Sequence, residues 1–454
     1  MQISKRSYMS PLAVVALVIG LQLGSALFLL PSELAPYGSL SALSWCLSGL
    51  GALSLSFIFI ALSKCDKALG GPSVYVEKAF GLRAGFYVAW TYWVISWISA
   101  IPYLLLSVKA LDQILPWPLS LLQEMMLIGV ILSSITHLNL KGAVIAGRGE
   151  IVFTLLKIIP WICIPVILML EYGFPKWVLP SAISTPLGLN KAMVITFWGF
   201  VGFEATTTIT HCLRHPARVL PWALVLGTLC VICIYFFNTW VLMGVMPLKA
   251  LMQDPNPYGT LFEKMWGPGG RILCALLATI TCIGTLNSWI LTCGQVISVA
   301  AKSNVLPQCF GSQSKIVHKN FGVWLTFYVM LITTWVIQAL NFEKTLALLV
   351  EFCCAVFIGV YFVCLVSLLW LVSKKRIRLA FWMWPVCGIS FLFCVGSLWD
   401  ISGILWLGAG VIVASAWLME FVSTLILPYK LFSIFPLKEK KISGSPVGKD
   451  RDLG

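Results

Sequence analysis

Long apolar segments, separated by short polar ones, run along almost the whole chain. Twelve of them reach about 18 residues or more, the length at which an apolar α-helix can cross the hydrocarbon core of a bilayer. The pattern therefore predicts an all-α polytopic membrane protein. Its twelve transmembrane helices are expected at residues 12–30, 38–62, 86–111, 120–140, 151–171, 192–212, 220–245, 271–299, 322–340, 345–372, 379–398 and 402–427.

The composition agrees with lipid as the main solvent. Of the 454 residues, 59% are hydrophobic and 11% are charged, and the mean hydropathy is +0.93. The first apolar run follows Lys5 and Arg6, as in a signal peptide, but no small-residue cleavage site comes after it. We expect a retained first helix and no separate soluble domain.

The net charge of +14 is explained by the distribution of the basic residues. If residues 1–11 are cytoplasmic, 23 of the 31 Lys and Arg residues fall on the inner side and seven on the outer side. Short cytoplasmic loops carry such an excess in membrane proteins. The bias predicts that residues 1–11 and the tail at 428–454 are both cytoplasmic. The expected macromolecular surroundings are membrane lipid and not nucleic acid.

Fifteen cysteines are scattered through the apolar runs, where they are expected to be small core residues. The four histidines have no spacing typical of metal ligands. The sequence predicts no metal site, no cofactor and no catalytic residue.

Two apolar spans contain polar or flexible residues at their centres. Gly20, Gly24 and Ser25 interrupt the first span, and "WGFVGFEATTT" at 198–208 interrupts the sixth. The two spans are five helices apart, so a second five-helix unit at 192–372 would be inverted relative to a first unit at 12–171, with 379–427 as two additional helices. Interrupted helices at corresponding positions of inverted halves indicate a binding site near the bilayer midplane.

A broken helix offers two kinds of free backbone group. Unpaired N–H groups and the positive end of a helix dipole suit a carboxylate, whereas unpaired C=O groups suit an ammonium. Together they suit an amino acid. The alternative is that the glycines only allow close packing of helices.

Three motifs in this order resemble the amino acid/polyamine/organocation superfamily, and within it the bacterial arginine/agmatine antiporters and their basic amino acid/polyamine relatives. The motifs are "GSALFLLPSELAPYG" in the first span, "FWGFVGFEATTTITHCLRHPARVLPWA" in the sixth and "GTLNSWILTCGQVISVAAKSNVLP" in the eighth. The resemblance extends over about residues 10–430. It implies a LeuT-like five-plus-five inverted repeat and amino acid exchange or proton-linked uptake; relatives include monomers and dimers, so a homodimer stays open.

The resemblance also implies a substrate site at the two breaks. Ser25 and the amide of Ala26 would hold the substrate carboxylate; glycine is usual at the second position, so Ala26 is a departure that reshapes this end. The ammonium would be taken by the backbone carbonyls of Gln22, Trp198 and Val201.

Side-chain selectivity is less well defined by the resemblance. Trp198 and Trp289 would stack on the substrate side chain and act as gates. Ala100 stands where the antiporters have a side-chain-binding asparagine, and Leu346 and Cys353 stand where they have a phenyl ring and a hydroxyl. Two tryptophans could bind a guanidinium by cation–π contact, but they would equally cover an apolar or aromatic side chain.

Three ionisable residues within the spans are candidates for coupling or gating. Lys157 lies in span five, where sodium-independent relatives have a lysine whose ammonium takes the place of a sodium ion; snorkelling to the inner face is the alternative. Glu204 ends the second break and could gate or sense protons. Glu351 could face the pathway as a partner for a cation.

The sequence therefore predicts a sodium-independent secondary transporter of amino acids that works by alternating access, with exchange of cationic amino acids and amines as one option. Proton-coupled uptake of neutral or aromatic amino acids is the alternative. A channel would show a ring of like charges or a repeated pore motif, and an enzyme would show a catalytic constellation; neither pattern is present.

Overall fold

A computed structural model describes residues 8–65, 70–176, 186–303, 306, 310, 320–340, 346–399 and 403–425, and it is helical throughout. The predicted tail at 428–454 lies outside the described residues. The helices are α1 Pro11–Gln22, α2 Ala26–Leu34, α3 Leu40–Leu62, α4 Pro72–Phe80, α5 Leu82–Asp112, α6 Leu121–Leu140, α7 Ala143–Tyr172, α8 Pro186–Phe197, α9 Pro216–Val245, α10 Leu248–Gln253, α11 Pro257–Trp266, α12 Pro268–Lys302, α13 Phe321–Ala339, α14 Leu346–Ser373, α15 Met383–Trp399 and α16 Gly403–Leu425.

The predicted spans are present as apolar helices. Within the described ranges, ten segments are long and apolar enough to cross a membrane, and the two shorter apolar helices α15 and α16 complete the predicted twelve. Several helices extend beyond the apolar runs: α7 begins at Ala143 and not at 151, and α9 and α12 each begin several residues early. Proline at the first helical position starts α9 and α12, where its missing N–H costs nothing.

Both predicted interruptions are breaks in the helix. The first break, residues 23–25, separates α1 from α2, and Leu23 has an extended backbone. The second break, residues 198–202, has a short 3-10 turn, an extended Val201 and a left-handed Gly202 with φ of 110°. A side chain at Gly202 would be strained at this angle. Residues 203–212 then continue as a 3-10 helix to the inner end of the span.

The packing of the helices agrees with an inverted repeat. Helices that would be equivalent in the two halves pack against each other: α3 with α9, α5 with α12 and α6 with α13. The α5–α12 pair is the most extensive of all helix pairs in the described residues. Such pairing is expected when a pseudo-twofold axis runs between equivalent helices, and it places the two breaks side by side near the centre.

Candidate substrate and cation sites at the two breaks

The carbonyl groups at the first break are held by side chains from three other helices. A helix that ends in mid-membrane leaves its last carbonyls without intrahelical partners, so other groups must satisfy them. The bonds run from Lys157 Nζ to Gly20 O (3.1 Å), from Tyr235 OH to Gln22 O (2.7 Å) and from Thr285 Oγ1 to Leu23 O (2.8 Å).

The two breaks are joined directly by two residues of the predicted substrate site. The indole Nε1 of Trp198 donates a hydrogen bond to Ser25 Oγ at 3.2 Å, and both side chains are buried. The Trp198 ring also stacks on Tyr103 of α5, with ring centroids 5.9 Å apart and planes 12° apart. Tyr103 packs against Gly24, where a Cβ would overlap its ring. Trp198 therefore covers the first break, as a gate over this position would.

Trp289 lies on the other side of the second break. Its fully buried ring packs against Gly202, since a Cβ at Gly202 would lie 3.2 Å from Trp289 Cζ2. The ring contacts Phe357 of α14 at a centroid distance of 5.6 Å. Cys353 precedes Phe357 by one helical turn and is fully buried. The second break is thus enclosed by aromatic rings from α12 and α14.

The remaining predicted substrate residues are distributed around this centre. Ala26 is the first residue of α2, so its N–H lies at the positive end of a helix dipole. The Gln22 side chain turns away to Thr228 and Val18 O, leaving only its carbonyl at the break. Val201 is buried within the second break, and Ala100 is buried one turn before Tyr103. The Leu346 side chain lies outside the described parts of the molecule.

Glu351 is placed differently from the other candidates. It lies two residues before Cys353 on α14, which puts it on another side of that helix, and it is partly exposed. Its role as a partner for a cation in the pathway stays a prediction.

Glu204 supports the backbone of the second break. One carboxylate oxygen accepts the Gly202 N–H at 3.1 Å, and the other accepts the Tyr92 hydroxyl at 2.7 Å. The side chain is fully buried. The carboxylate therefore accepts a hydrogen bond from an amide that has no partner within the broken helix. Through Tyr92 it also connects the left-handed turn at Gly202 to α5.

Lys157 occupies a buried site between three helices. It is the fifteenth residue of α7, well inside the helix, and its side chain is fully buried, so it does not snorkel to the inner face. Besides Gly20 O, its ammonium donates to Thr285 Oγ1 of α12 at 3.2 Å and lies 3.7 Å from Glu150 Oε1. A positive charge is thus fixed among oxygens from α1, α7 and α12.

Glu150 is the main residue of this site that sequence reasoning missed. The carboxylate is fully buried and also accepts hydrogen bonds from Thr154 Oγ1 (3.2 Å) and Asn287 Nδ2 (2.8 Å). The predicted span began at residue 151, which left Glu150 in a loop. The signal was its spacing of seven residues from Lys157, which puts both on one face of a helix two turns apart.

The two sides of the breaks differ in how they are closed. On the predicted outer side, Phe28, Trp161 and Tyr258 form an edge-to-face cluster with neighbouring centroids 5.1 Å apart. On the side where α1 begins, which is the predicted inner side, a cavity of about 250 Å³ lies between the ends of the 3-10 helix 203–212 and of α12. Alternating access requires such a difference between the two sides at any one time.

Cysteine pairing does not contribute to either site. Cys230 and Cys233 on α9 have a Cys-x-x-Cys spacing, but both thiols are free, and Cys233 is exposed on the outside of the bundle. Within the described residues, no cluster of His, Cys, Asp or Glu could hold a metal ion.

A twelve-span helical bundle with two adjacent broken helices is the architecture of a secondary transporter. The family model described as "Amino acid permease" matches residues 9–426, and the chain belongs to this family. The family is one of transporters, which confirms the prediction that the protein is a transporter of amino acids and not an enzyme.

Curated relatives are similar over about two thirds of the chain. The putrescine transporter PotE of Escherichia coli K12 is 27% identical over 324 residues, which cover 69% of this chain and 72% of the relative. A putative arginine/ornithine antiporter of the same strain is 28% identical over 331 residues, with the same two coverages. The arginine/ornithine antiporter of Pseudomonas aeruginosa PAO1 is 26% identical over 327 residues, covering 69% of this chain and 68% of the relative.

Proposed function

We propose that the protein is a sodium-independent exchanger of amino acids in a bacterial inner membrane, with basic amino acids and their amines as substrates. The proposal includes cytoplasmic termini and the two repeats at 12–171 and 192–372. Its substrate site comprises Ser25, the Ala26 amide and the carbonyls of the breaks, between Trp198 and Trp289.

The proposal that transport does not require sodium rests on the position of the Lys157 ammonium. It lies within hydrogen-bond distance of Gly20 O and Thr285 Oγ1, where backbone and hydroxyl oxygens converge from α1 and α12. Such oxygens are the ligands that a hard cation takes. A fixed ammonium there supplies the positive charge that would otherwise require a bound ion, and it excludes that ion by occupancy and repulsion.

The substrate class rests on the relatives and on the shape of the centre. The relatives are named as transporters of putrescine or of arginine and ornithine, and Trp198 and Trp289 offer faces for a cationic side chain. The same rings, together with Ala100 and Cys353, favour the second candidate, which is proton-coupled uptake of neutral or aromatic amino acids. Glu204 is engaged by Tyr92 and Gly202 and offers the substrate little charge.

Solute-driven counterflow in proteoliposomes tests the proposal. Vesicles are loaded with one unlabelled compound, and uptake of labelled L-arginine, L-ornithine, putrescine, L-leucine and L-phenylalanine is measured in sodium and in choline buffers. We expect exchange of basic substrates at equal rates in both buffers. Exchange restricted to neutral or aromatic amino acids and driven by a pH gradient would favour the second candidate, and a requirement for sodium would contradict the role given to Lys157.

A further inference from the structure

The inner cavity is separate from the site at the breaks but reaches close to it. Ile290, the residue after the predicted gate Trp289, lines one end. The polar residues of the lining include His211 and Cys212 at the end of the 3-10 helix 203–212, Asn139 in the last turn of α6, and Gln295, Ser298 and Lys302 on α12. A substrate released from the breaks toward the inner side would pass through this space.

The charge of the cavity wall has one sign. Lys302 is exposed at the inner end of α12 and is near enough to His211 to interact with it electrostatically. No Asp or Glu occurs in the sequence between Glu263 and Glu343, so α12, α13 and the segment between them contribute no negative charge, whichever of their residues face the cavity. A cleft lined by one sign of charge concentrates ligands of the opposite sign.

Asn139 in the cavity wall is linked to the buried carboxylate of Glu150 through Asn287. Glu150 accepts Asn287 Nδ2, which makes Asn287 Oδ1 an acceptor, and this oxygen receives Asn139 Nδ2 at 3.0 Å. The carboxylate thus fixes the orientation of both amides in turn. Asn139 Oδ1 is left without a hydrogen-bond partner among the described residues, although Asn139 is only 9% exposed. The cavity wall therefore holds an unused acceptor together with the ammonium of Lys302.

We propose that the inner cavity is a transient release site for substrates that carry a carboxylate. The Lys302 ammonium receives the carboxylate, and Asn139 Oδ1 is the acceptor for the α-ammonium. An amine without a carboxylate has no group for the Lys302 ammonium to bind and is repelled by it. The identity of the cargo rests on the proposed function, whereas the preference for a carboxylate rests on the cavity alone.

L-Ornithine and putrescine are a matched pair of probes, because putrescine is ornithine without its carboxylate. Cys212 lines the cavity and is partly exposed. The reactivity of its thiol therefore shows whether a ligand fills the cavity, even when no transport takes place. In the purified full chain, alkylation of Cys212 by N-ethylmaleimide is followed by mass spectrometry. We expect L-ornithine to slow the reaction and putrescine at the same concentration to leave it unchanged.

Variants of Lys302 assign the effect to the cavity. In Lys302→Ala, the concentration of L-ornithine that half-protects Cys212 from alkylation should rise on the order of threefold to tenfold, as expected for the loss of one partly solvated charge contact. Lys302→Arg should retain protection. Lys374→Ala is the control, since Lys374 is an exposed lysine on the inner side that does not line this cavity. Equal protection by both probes, or full protection in Lys302→Ala, would overturn the proposal.

Transport measurements separate this proposal from the function itself. In everted vesicles, where the inner face meets the medium, Lys302→Ala should raise the half-saturating concentration of L-ornithine and leave that of putrescine unchanged or lower; in right-side-out vesicles neither should change. A shift that is the same from both faces would contradict a release site. If wild-type protein transports neither probe while L-ornithine still protects Cys212, the proposed substrate class fails and the release site stands.

Discussion

Lys157 and Glu150 form an ion pair of 3.7 Å between side chains that are both fully buried, two turns apart on α7. Removing one member of a buried pair leaves the other charge without compensation, which costs more than the pair itself contributes. A single substitution of Lys157 therefore combines two effects: it removes a cation, and it leaves the buried carboxylate of Glu150 without a countercharge. The two effects have to be separated by changing both residues.

The first prediction concerns stability. Lys157→Met should lower the free energy of unfolding by about 3 to 5 kcal/mol, because Glu150 keeps only its hydrogen bonds. The double variant Glu150→Gln/Lys157→Met should recover most of this loss, since no buried charge remains. Thermal unfolding of the purified variants in detergent measures both values.

Transport by the same double variant tests the role of the cation. We expect a folded protein that no longer exchanges amino acids at the wild-type rate, because the charge between α1 and α12 is missing. A double variant with full rate and an unchanged pH profile would show that the pair is structural.

The second prediction concerns Gly20, whose Cβ would overlap Glu150 Oε1. Gly20→Ala should displace the carboxylate from Lys157 and strongly reduce exchange. Gly129→Ala on α6 is the matched control, because no atom lies within 4 Å of a Cβ there, and it should be neutral or slightly stabilising. Counterflow rates of the two variants, at equal amounts of folded protein, provide the comparison.

The third prediction concerns the two tryptophans. Trp198→Ala and Trp289→Ala should each abolish exchange, because the rings cover the breaks. Each should leave a folded protein in detergent, with a free energy of unfolding lowered by about 3 to 5 kcal/mol through the loss of a buried ring. Trp198→Phe should keep the stack on Tyr103 but lose the hydrogen bond to Ser25. Near-normal uptake by both alanine variants would contradict this position for the substrate.

The fourth prediction concerns the carboxylate end of the site. Ser25→Pro, or Leu in place of Ala26, should weaken all amino acid substrates by a similar factor, because every one of them presents the same carboxylate to the start of α2. The measurement is competition by a panel of amino acids with different side chains. A change confined to one type of side chain would place this end of the substrate elsewhere.

The fifth prediction concerns Glu204. In Glu204→Gln the amide group must face one of two donors, the Gly202 N–H or the Tyr92 hydroxyl, so the second break should loosen and exchange should fall. Tyr92→Phe removes one donor and keeps the carboxylate. If Glu204 carries a coupling proton, the pH profile of uptake should flatten in Glu204→Gln but not in Tyr92→Phe; equal profiles in all three proteins would leave Glu204 with a structural role only.

The transmembrane helices and both breaks could be predicted from the sequence because the signals are local. An apolar run of bilayer length has few alternatives, and glycines at the centre of such a run mark a break. The helix ends were less predictable, because Glu150 and its polar neighbours continue α7 past the apolar run on a face that is buried by other helices.

The partners of the breaks could not be predicted in the same way. Tyr92, Tyr235 and Thr285 come from three different helices, and nothing in their local sequence indicates that they reach a break. Their positions follow from how α5, α9 and α12 pack, which a pattern along the chain does not contain. The ion pair is an intermediate case, since its spacing was visible but its burial was not.

The segment 203–212, which follows the second break, has a mechanical property that follows from its 3-10 conformation. Thr206, Thr207 and Thr208 each bond to the carbonyl three residues earlier, which favours this winding over residues 203–212. Ten residues rise about 20 Å in a 3-10 helix and about 15 Å in an α-helix. A change of residues 203–212 from a 3-10 helix to an α-helix would therefore shorten this segment by about one helical turn. Because the Met9 N–H donates a hydrogen bond to Cys212 O, the shortening would pull Met9 toward the centre of the bilayer.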